Sequence, residues 1–296
     1  MPSFSQVNPF AGLQTRYGAA NFGFKTLLNS RTCRYSDRHL YNPTAITKPR
    51  INPNFKLIHS FSVQKAGNEI SECEDIWNYG KSDRLCSIAL SDGATESSFS
   101  QEWAEELVTA FINRDRQTLN WLAKSQQNWQ QWLENQNFSW FAKRKVEQGA
   151  FATFLGLEIL NDLSWQAIAV GDSCLFVVRS CELQITNYEL RKSFPLKQSQ
   201  EFGNRPRLIG THSNVEQICF SGISGVAEVG DRFYLATDAI ACWIFKQIEA
   251  NQDPWVKLGE ISSPDMFANW VNELRDRHEI ANDDTTLLGL EIRCES

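Results

Sequence analysis

The chain has 296 residues, 42% hydrophobic and 22% charged, which are the proportions of a globular protein long enough to bury a substantial core. A formal net charge of −6 and a pI near 5.4 argue against a general nucleic-acid binder, because such proteins carry a basic face. No run approaches the roughly 20 apolar residues of a membrane span, and the first thirty residues lack the apolar segment of a signal peptide. We expect a cytoplasmic protein that does not act on membranes.

The eight cysteines and four histidines do not form recognisable metal or redox motifs. No two cysteines are spaced as C-x-x-C, so neither a zinc ribbon nor a thioredoxin-type pair is indicated. Several cysteines stand inside apolar runs, where a free thiol packs as a small hydrophobic group. The scattered histidines leave little support for a histidine-based catalytic triad.

The N-terminal residues 1–54 are polar and contain several arginines and Asn-Pro pairs. We predict an N-terminal extension here, either a flexible tail or an arm that docks on the domain or on a partner. The domain then covers residues 55–296. Its first strand is predicted at residues 55–63, where apolar side chains alternate, and His59 on the apolar side is predicted to be a packed core histidine.

A short apolar run at residues 87–91 ends in Asp92-Gly93, and an amphipathic helix follows over residues 101–111. This order delivers a carboxylate to the end of a strand, beside a glycine whose backbone carbonyl is accessible. Such oxygen ligands suit a hard cation such as Mg²⁺ or Mn²⁺. Taken alone, the same residues also fit an ordinary Asp-Gly turn before a helix.

The middle of the chain is predicted to contain one or two amphipathic helices over residues 114–145, followed by apolar strands. Gly171-Asp172-Ser173 separates two of these strands and is predicted to form a hairpin turn or a bulge. Residues 185–226 contain many glycines and prolines and are predicted to form a long irregular excursion. We interpret this excursion as a surface flap beside a cleft.

The C-terminal part repeats the arrangement of a strand that meets a carboxylate. An apolar strand ends at Asp238, a helix follows over residues 238–245, and another helix is predicted over residues 266–275. Asp283 and Asp284 then lead into the last strand. Buried carboxylates repel one another unless cations neutralise them. The simplest explanation for the repeated pattern is a dinuclear metal centre in which Asp92 bridges two ions.

Five short motifs occur along the chain in a fixed order, namely Glu74-Asp75, Ser91-Asp92-Gly93, Gly171-Asp172-Ser173, Ala236-Thr237-Asp238 and Asp283-Asp284-x-Thr286. Together they resemble the type 2C metal-dependent protein serine/threonine phosphatases, in a divergent, bacterial-like form. The resemblance covers roughly residues 55–293. It implies an α+β fold in which a two-sheet antiparallel β-sandwich is flanked by helices on both sides.

The resemblance also implies a role for each matching residue. Asp92 bridges two Mn²⁺ or Mg²⁺ ions, and Gly93 offers its carbonyl oxygen. Asp92 and Asp238 are the catalytic carboxylates, and a hydroxide that bridges the ions attacks phosphorus. The implied metal ligands are Glu74, Asp75, Asp92, Gly93, Asp238 and Asp283. Asp172 is a candidate ligand of a third ion.

Several positions depart from the family pattern. Ala94 follows Asp-Gly where family members commonly carry a histidine that could act as a general acid. No arginine lies between Phe61 and Glu74, so Lys65 is the predicted substrate-binding cation, although it lacks a guanidinium fork. Cys242 stands four residues after Asp238, where the family typically has another aspartate, which argues against a third metal.

Three functions follow from these observations. The first is metal-dependent hydrolysis of phosphoserine and phosphothreonine on a phosphoprotein substrate. The second is a catalytically weak or inactive phosphatase fold that acts as a binding or regulatory module, since fold does not determine function. The third is an unrelated carboxylate-metal hydrolase. The sequence does not predict the oligomeric state.

Overall fold

The computed structural model describes residues 53–95, 97–114, 120–180, 188–203 and 205–294. The extension predicted for residues 1–54 lies outside the described residues, apart from the last two positions, which begin the first strand. No helix in the described part of the chain is both long and apolar enough to cross a membrane.

Two five-stranded sheets form the centre of the domain, and every neighbouring pair of strands in them is antiparallel. Sheet A has the order β1 (Pro53–Val63), β12 (Thr285–Cys294), β11 (Arg232–Ala236), β7 (Cys174–Ser180) and β8 (Tyr188–Phe194). Sheet B has the order β10 (Ser221–Val226), β6 (Ser164–Val170), β5 (Phe154–Leu160), β3 (Leu85–Asp92) and β2 (Asp75–Ser82). A separate two-stranded ladder joins β4 (Phe151–Ala152) to β9 (Ile209–Gly210).

Six helices complete the described fold: α1 (Ser100–Asn113), α2 (Trp121–Glu134), α3 (Trp140–Glu147), α4 (Asp238–Glu249), α5 (Pro254–Glu260) and α6 (Pro264–Asp276). Apolar residues of α1 and α2 pack on the outer face of sheet B, and those of α4, α5 and α6 pack on sheet A. A third apolar cluster fills the space between the sheets. The predicted sandwich with helices on both sides is confirmed.

The central strands are largely apolar because both of their faces are covered. In β5, for example, one face contacts the opposite sheet and the other contacts α1. Gly156 lies under the ring of Phe111, and a Cβ atom there would come within 2.5 Å of it. The close approach of α1 to the sheet therefore requires glycine at this position. His59 is buried with its Nε2 3.1 Å from the carbonyl oxygen of Ile261, as predicted for a packed histidine.

Two predictions about individual elements were wrong. Gly171-Asp172-Ser173 is not a hairpin turn, because β6 belongs to sheet B and β7 to sheet A, so this turn connects the two sheets. The excursion at residues 185–226 contains β8 and β10, which are polar edge strands without a strong apolar pattern.

The topology brings the carboxylate motifs to one end of the sandwich. In sheet A, Asp172 precedes β7, Asp238 follows β11 and Asp283 precedes β12, and the antiparallel pairing puts these three strand ends side by side. In sheet B, the end of β3 at Asp92 pairs with the start of β2 at Asp75. We call this the carboxylate end of the domain.

Candidate metal centre

Two aspartates face each other at the carboxylate end of sheet B. Asp75 and Asp92 are directly paired across β2 and β3. Directly opposed residues have Cβ atoms about 4.5–5.5 Å apart, and like charges in this relation are destabilising. Asp75 is only 4% exposed, and its Oδ1 atom is buried without a hydrogen-bond partner among the described residues. A cation beside this oxygen would supply the missing interaction.

Thr237 joins Asp75 to the carboxylates of sheet A. Its hydroxyl donates to Asp75 Oδ2 at 3.0 Å and accepts from the backbone N–H of Thr286 at 2.9 Å. The N–H of Thr237 in turn donates to the carbonyl of Thr286 at 3.1 Å. Because Thr237 is the N-cap of α4, these bonds hold Asp238, the first residue of that helix, beside the turn that contains Asp283.

Glu74 is held at three points. Its N–H donates to Asp284 Oδ2 at 2.6 Å, and its carbonyl accepts from the N–H of Gly93 at 3.1 Å. Its carboxylate accepts a short hydrogen bond from the hydroxyl of Ser100, at the start of α1. A Cβ atom on Gly93 would lie 2.9 Å from that of Ser100, so the loop after Asp92 can pack here only with glycine. Glu74, Gly93 and α1 therefore form one rigid unit.

Thr153 fixes the backbone of Asp92 from the other side. The N–H of Asp92 donates to Thr153 Oγ1 at 3.1 Å, and the N–H of Thr153 donates to the carbonyl of Asp92 at 2.8 Å. The same hydroxyl lies 3.1 Å from that of Ser173, next to Asp172. The turn between the two sheets is thereby tied to the central aspartate.

The carboxylates of this cluster raise one another's pKa values. Burial raises the pKa of Asp92 well above its ordinary range, and the charges of Asp75, Asp238, Asp283 and Asp172 add to the effect. Burial, followed by the charge of Asp172 and then of Asp283, raises the pKa of Asp238 to about 7. Burial, with the charge of Asp283, raises the pKa of Asp172 to about 6. The protein groups alone do not balance the negative charge here.

Two cationic side chains approach the cluster. Lys65 Nζ lies 3.2 Å from Asp283 Oδ1, and the Lys65 N–H donates to Asp284 Oδ1 at 2.7 Å. Arg275, which is 8% exposed, donates from Nη2 to the backbone carbonyl of Asp283 at 2.6 Å. Arg275 thus holds the turn before β12, whereas Lys65 pairs with a carboxylate.

The donor set fits a divalent, oxygen-binding cation. Carboxylate and backbone carbonyl oxygens are the ligands that Mg²⁺ and Mn²⁺ prefer, and the unpartnered oxygen of Asp75 is available to one. Among the described residues, no three His, Cys, Asp or Glu side chains are already arranged to hold a metal ion. The fit therefore rests on the chemistry of the donors and on the uncompensated charge.

Every predicted site residue lies at this end of the domain: Lys65, Glu74, Asp75, Asp92, Gly93, Asp172, Asp238 and Asp283. Sequence reasoning did not assign roles to the residues that position them, which are Ser100, Thr153, Thr237, Arg275 and Asp284. Thr237 stood inside a motif, but only the folded contacts reveal what the hydroxyl groups of Thr153 and Thr237 hold.

Comparisons of the fold with solved structures give consistent results. The photosystem II phosphatase PBCP matches with a TM-score of 0.54 at 13% identity, over 81% of this chain and 99% of that one. The serine/threonine phosphatase of S. agalactiae matches with a TM-score of 0.50 at 15% identity, over 82% and 100%. The chain has the type 2C phosphatase fold.

A third structure with this fold contains the RsbU and RsbW domains of a Mycobacterium tuberculosis protein. It matches with a TM-score of 0.53 at 15% identity, over 83% of this chain and 64% of that one. No protein-family model matches the chain, and no curated protein matches its sequence. The likeness is therefore one of fold.

Proposed function

We propose that the protein is a metal-dependent phosphatase that hydrolyses phosphoserine and phosphothreonine on a phosphoprotein substrate in the cytoplasm. The observation that carries this proposal is the facing pair Asp75 and Asp92, in which Asp75 is buried and has an unpartnered carboxylate oxygen. We further propose that residues 55–296 form the catalytic domain, and that residues 1–54 are an extension to it.

Two Mn²⁺ or Mg²⁺ ions would be held by Glu74, Asp75, Asp92, Gly93, Asp238 and Asp283, with Asp172 as a candidate ligand of a third. Such ions activate water as a nucleophile and neutralise the charge on a phosphoryl group. Asp92, whose charged neighbours include Asp75 and the sheet A carboxylates, would contribute to both ions. Lys65 would supply a positive point charge for the phosphoryl oxygens, because its ammonium group lies at the carboxylate end beside Asp283.

Phosphate release from phosphoserine and phosphothreonine peptides, measured against Mn²⁺ concentration, tests the proposal. We expect turnover that requires Mn²⁺ and stops with EDTA. The matched pair Asp92→Asn and Asp231→Asn separates the site from the fold, because Asp231 is buried at the opposite end of β11. Turnover that survives in Asp92→Asn, or that needs no divalent ion, would contradict the proposal.

The second candidate function is a binding or regulatory module with this fold. It is favoured by Ala94, by the lack of an arginine between Phe61 and Glu74, and by Cys242 in place of an aspartate. Calorimetric Mn²⁺ binding together with phosphopeptide binding, but without phosphate release, would support this candidate over the enzyme.

A further inference from the structure

The segment that follows β8 is anchored at two places. Its first part, residues 195–203, packs on the C-terminal half of α4. There the hydroxyl and N–H of Ser199 both donate to the carboxylate of Glu249, at 2.6 and 2.7 Å, and the ring of Phe202 lies 6.0 Å from that of Phe245.

The second part of this segment, residues 205–211, is fixed from the other side. Ile209 pairs with Ala152, and its carbonyl accepts from Trp103 Nε1 at 2.8 Å. Within this second part, the backbone of Arg207 lies against Gly171. A Cβ atom on Gly171 would lie 3.1 Å from the Arg207 carbonyl, and Gly171 has a φ of +108°. The segment therefore packs against the turn that carries Asp172.

Two arginines on this seated segment are exposed to solvent. Arg205 and Arg207 flank Pro206, and in the described part of the chain neither guanidinium has a hydrogen bond or an ion-pair partner. Some exposed arginines in the described part of the domain are paired, as Arg191 is with Glu189. Arg84 is also exposed and has no such partner in the described residues, but it lies at the end of β3 remote from Asp92.

We propose that Arg205 and Arg207 form a binding site for negatively charged residues that flank the phosphorylated residue of the substrate. This inference rests on the proposed function and specifies the substrate class as phosphopeptides with an acidic neighbourhood. The Arg207 backbone lies against the turn that carries Asp172 and neither arginine pairs with the carboxylate cluster, whereas Lys65 contacts the cluster itself. The arginines are thus assigned to the flank and the lysine to the phosphoryl group.

The charge chemistry favours this division. A guanidinium group binds carboxylates and phosphates through two parallel hydrogen bonds, which gives geometric selectivity that an ammonium group lacks. Because the Arg207 backbone lies against the turn that carries Asp172, residues that flank a phosphoryl group bound at the carboxylate end would lie near this segment. Two exposed guanidinium groups there attract negatively charged flanking residues.

The double variant Arg205→Ala/Arg207→Ala tests the proposal against Arg84→Ala as the matched control. Three substrates are compared: a phosphoserine peptide with acidic flanks, the same peptide with neutral flanks, and an aryl phosphate. We expect KM for the acidic peptide to rise about tenfold in the double variant, which corresponds to about 1.4 kcal/mol. The neutral peptide and the aryl phosphate should change less than twofold, and Arg84→Ala should match the wild type on all three.

A binding measurement makes the test independent of turnover. Fluorescence anisotropy with non-hydrolysable phosphonate versions of both peptides should show the same tenfold loss for the acidic one, and the wild-type preference should weaken as salt is raised. Equal losses on all substrates, or unchanged binding of the acidic peptide, would overturn the arginine assignment. A wild-type protein that binds the peptides selectively but releases no phosphate would instead contradict the proposed enzymatic function.

Discussion

The three adjacent strands β7, β11 and β12 carry charged residues at both ends, and the two ends differ in how these charges are balanced. At the end remote from the carboxylates, Arg179 donates from Nε and Nη2 to the two oxygens of Asp231, at 2.7 and 2.9 Å, although Asp231 is 1% exposed. Burial acts to raise the pKa of Glu291, but hydrogen bonds from Arg293 and Arg232 hold it below its ordinary value.

At the carboxylate end of the same strands, the negative charges are not balanced by ion pairs in this way. Asp172 and Asp238 have raised pKa values because they are buried near other carboxylates, and Lys65 is the side chain that forms an ion pair with the cluster among the described residues. The comparison shows that this fold readily pairs buried charges where they serve stability. Charges left unpaired in the same sheet indicate a place where a ligand is needed.

The largest expected effect comes from Asp92→Asn. The substitution keeps the size of the side chain but removes the charge opposite Asp75, so we expect the Mn²⁺-dependent rate to fall at least about a thousandfold. The melting temperature of the metal-free protein should stay the same or rise, because a repulsion is relieved. Asp231→Asn should show the reverse pattern, with a lower melting temperature and nearly normal turnover.

Removing one partner of the ion pair at the end remote from the carboxylates should destabilise the fold. Arg179→Met leaves the buried carboxylate of Asp231 without its bidentate partner, and we expect a loss of roughly 3 kcal/mol in the free energy of unfolding. Urea unfolding of Arg179→Met, Asp231→Asn and the double variant completes a mutant cycle. Strictly additive losses would show that the two side chains do not stabilise the fold through their ion pair.

The raised pKa values at the carboxylate end predict how the stability of the metal-free protein depends on pH. In the unfolded chain Asp172 and Asp238 titrate near the ordinary aspartate value of about 4. Their folded pKa values are about 6 and about 7, so over this window the folded state binds more protons than the unfolded state. Their stabilising contribution is therefore complete below about pH 4 and is lost as the pH rises to about 7.

Urea unfolding in EDTA between pH 4 and pH 8 measures this dependence. Asp238→Asn should make the decline between pH 4 and pH 7 shallower, and saturating Mn²⁺ should weaken it, because cations favour the ionised carboxylates. A free energy of unfolding that rises with pH across this window, equally in wild type and variant, would be inconsistent with the assignment of raised pKa values.

The smallest expected effect comes from Cys242→Asp. Cys242 is half-buried one helical turn after Asp238, whose charge helps burial to raise the pKa of the thiol. A carboxylate here should increase the affinity for Mn²⁺ by a few fold and lower the melting temperature in EDTA. A lower melting temperature with an unchanged Mn²⁺ titration would mean that Cys242 acts only as a packed thiol.

The local pattern of the chain was enough to predict several features. The alternation of residues 55–63 predicted β1, because only a strand places every second side chain on one face. The apolar run that ends at Asp92 predicted β3, since a carboxylate that follows a buried strand lies where that strand ends. The resemblance of the aspartate motifs to the type 2C phosphatases implied the sandwich, and the solved structures with this fold agree.

Only the tertiary structure determined which residues meet. The apolar strands on either side of Asp172 look alike in sequence, and their division between two sheets depends on long-range pairing with β5 and β11. The bond from Thr237 to Asp75 joins residues 162 positions apart. Arg207 reaches Gly171 only because the segment between them is anchored on α4 and β4. Such contacts depend on how whole sheets and helices pack, which no local periodicity encodes.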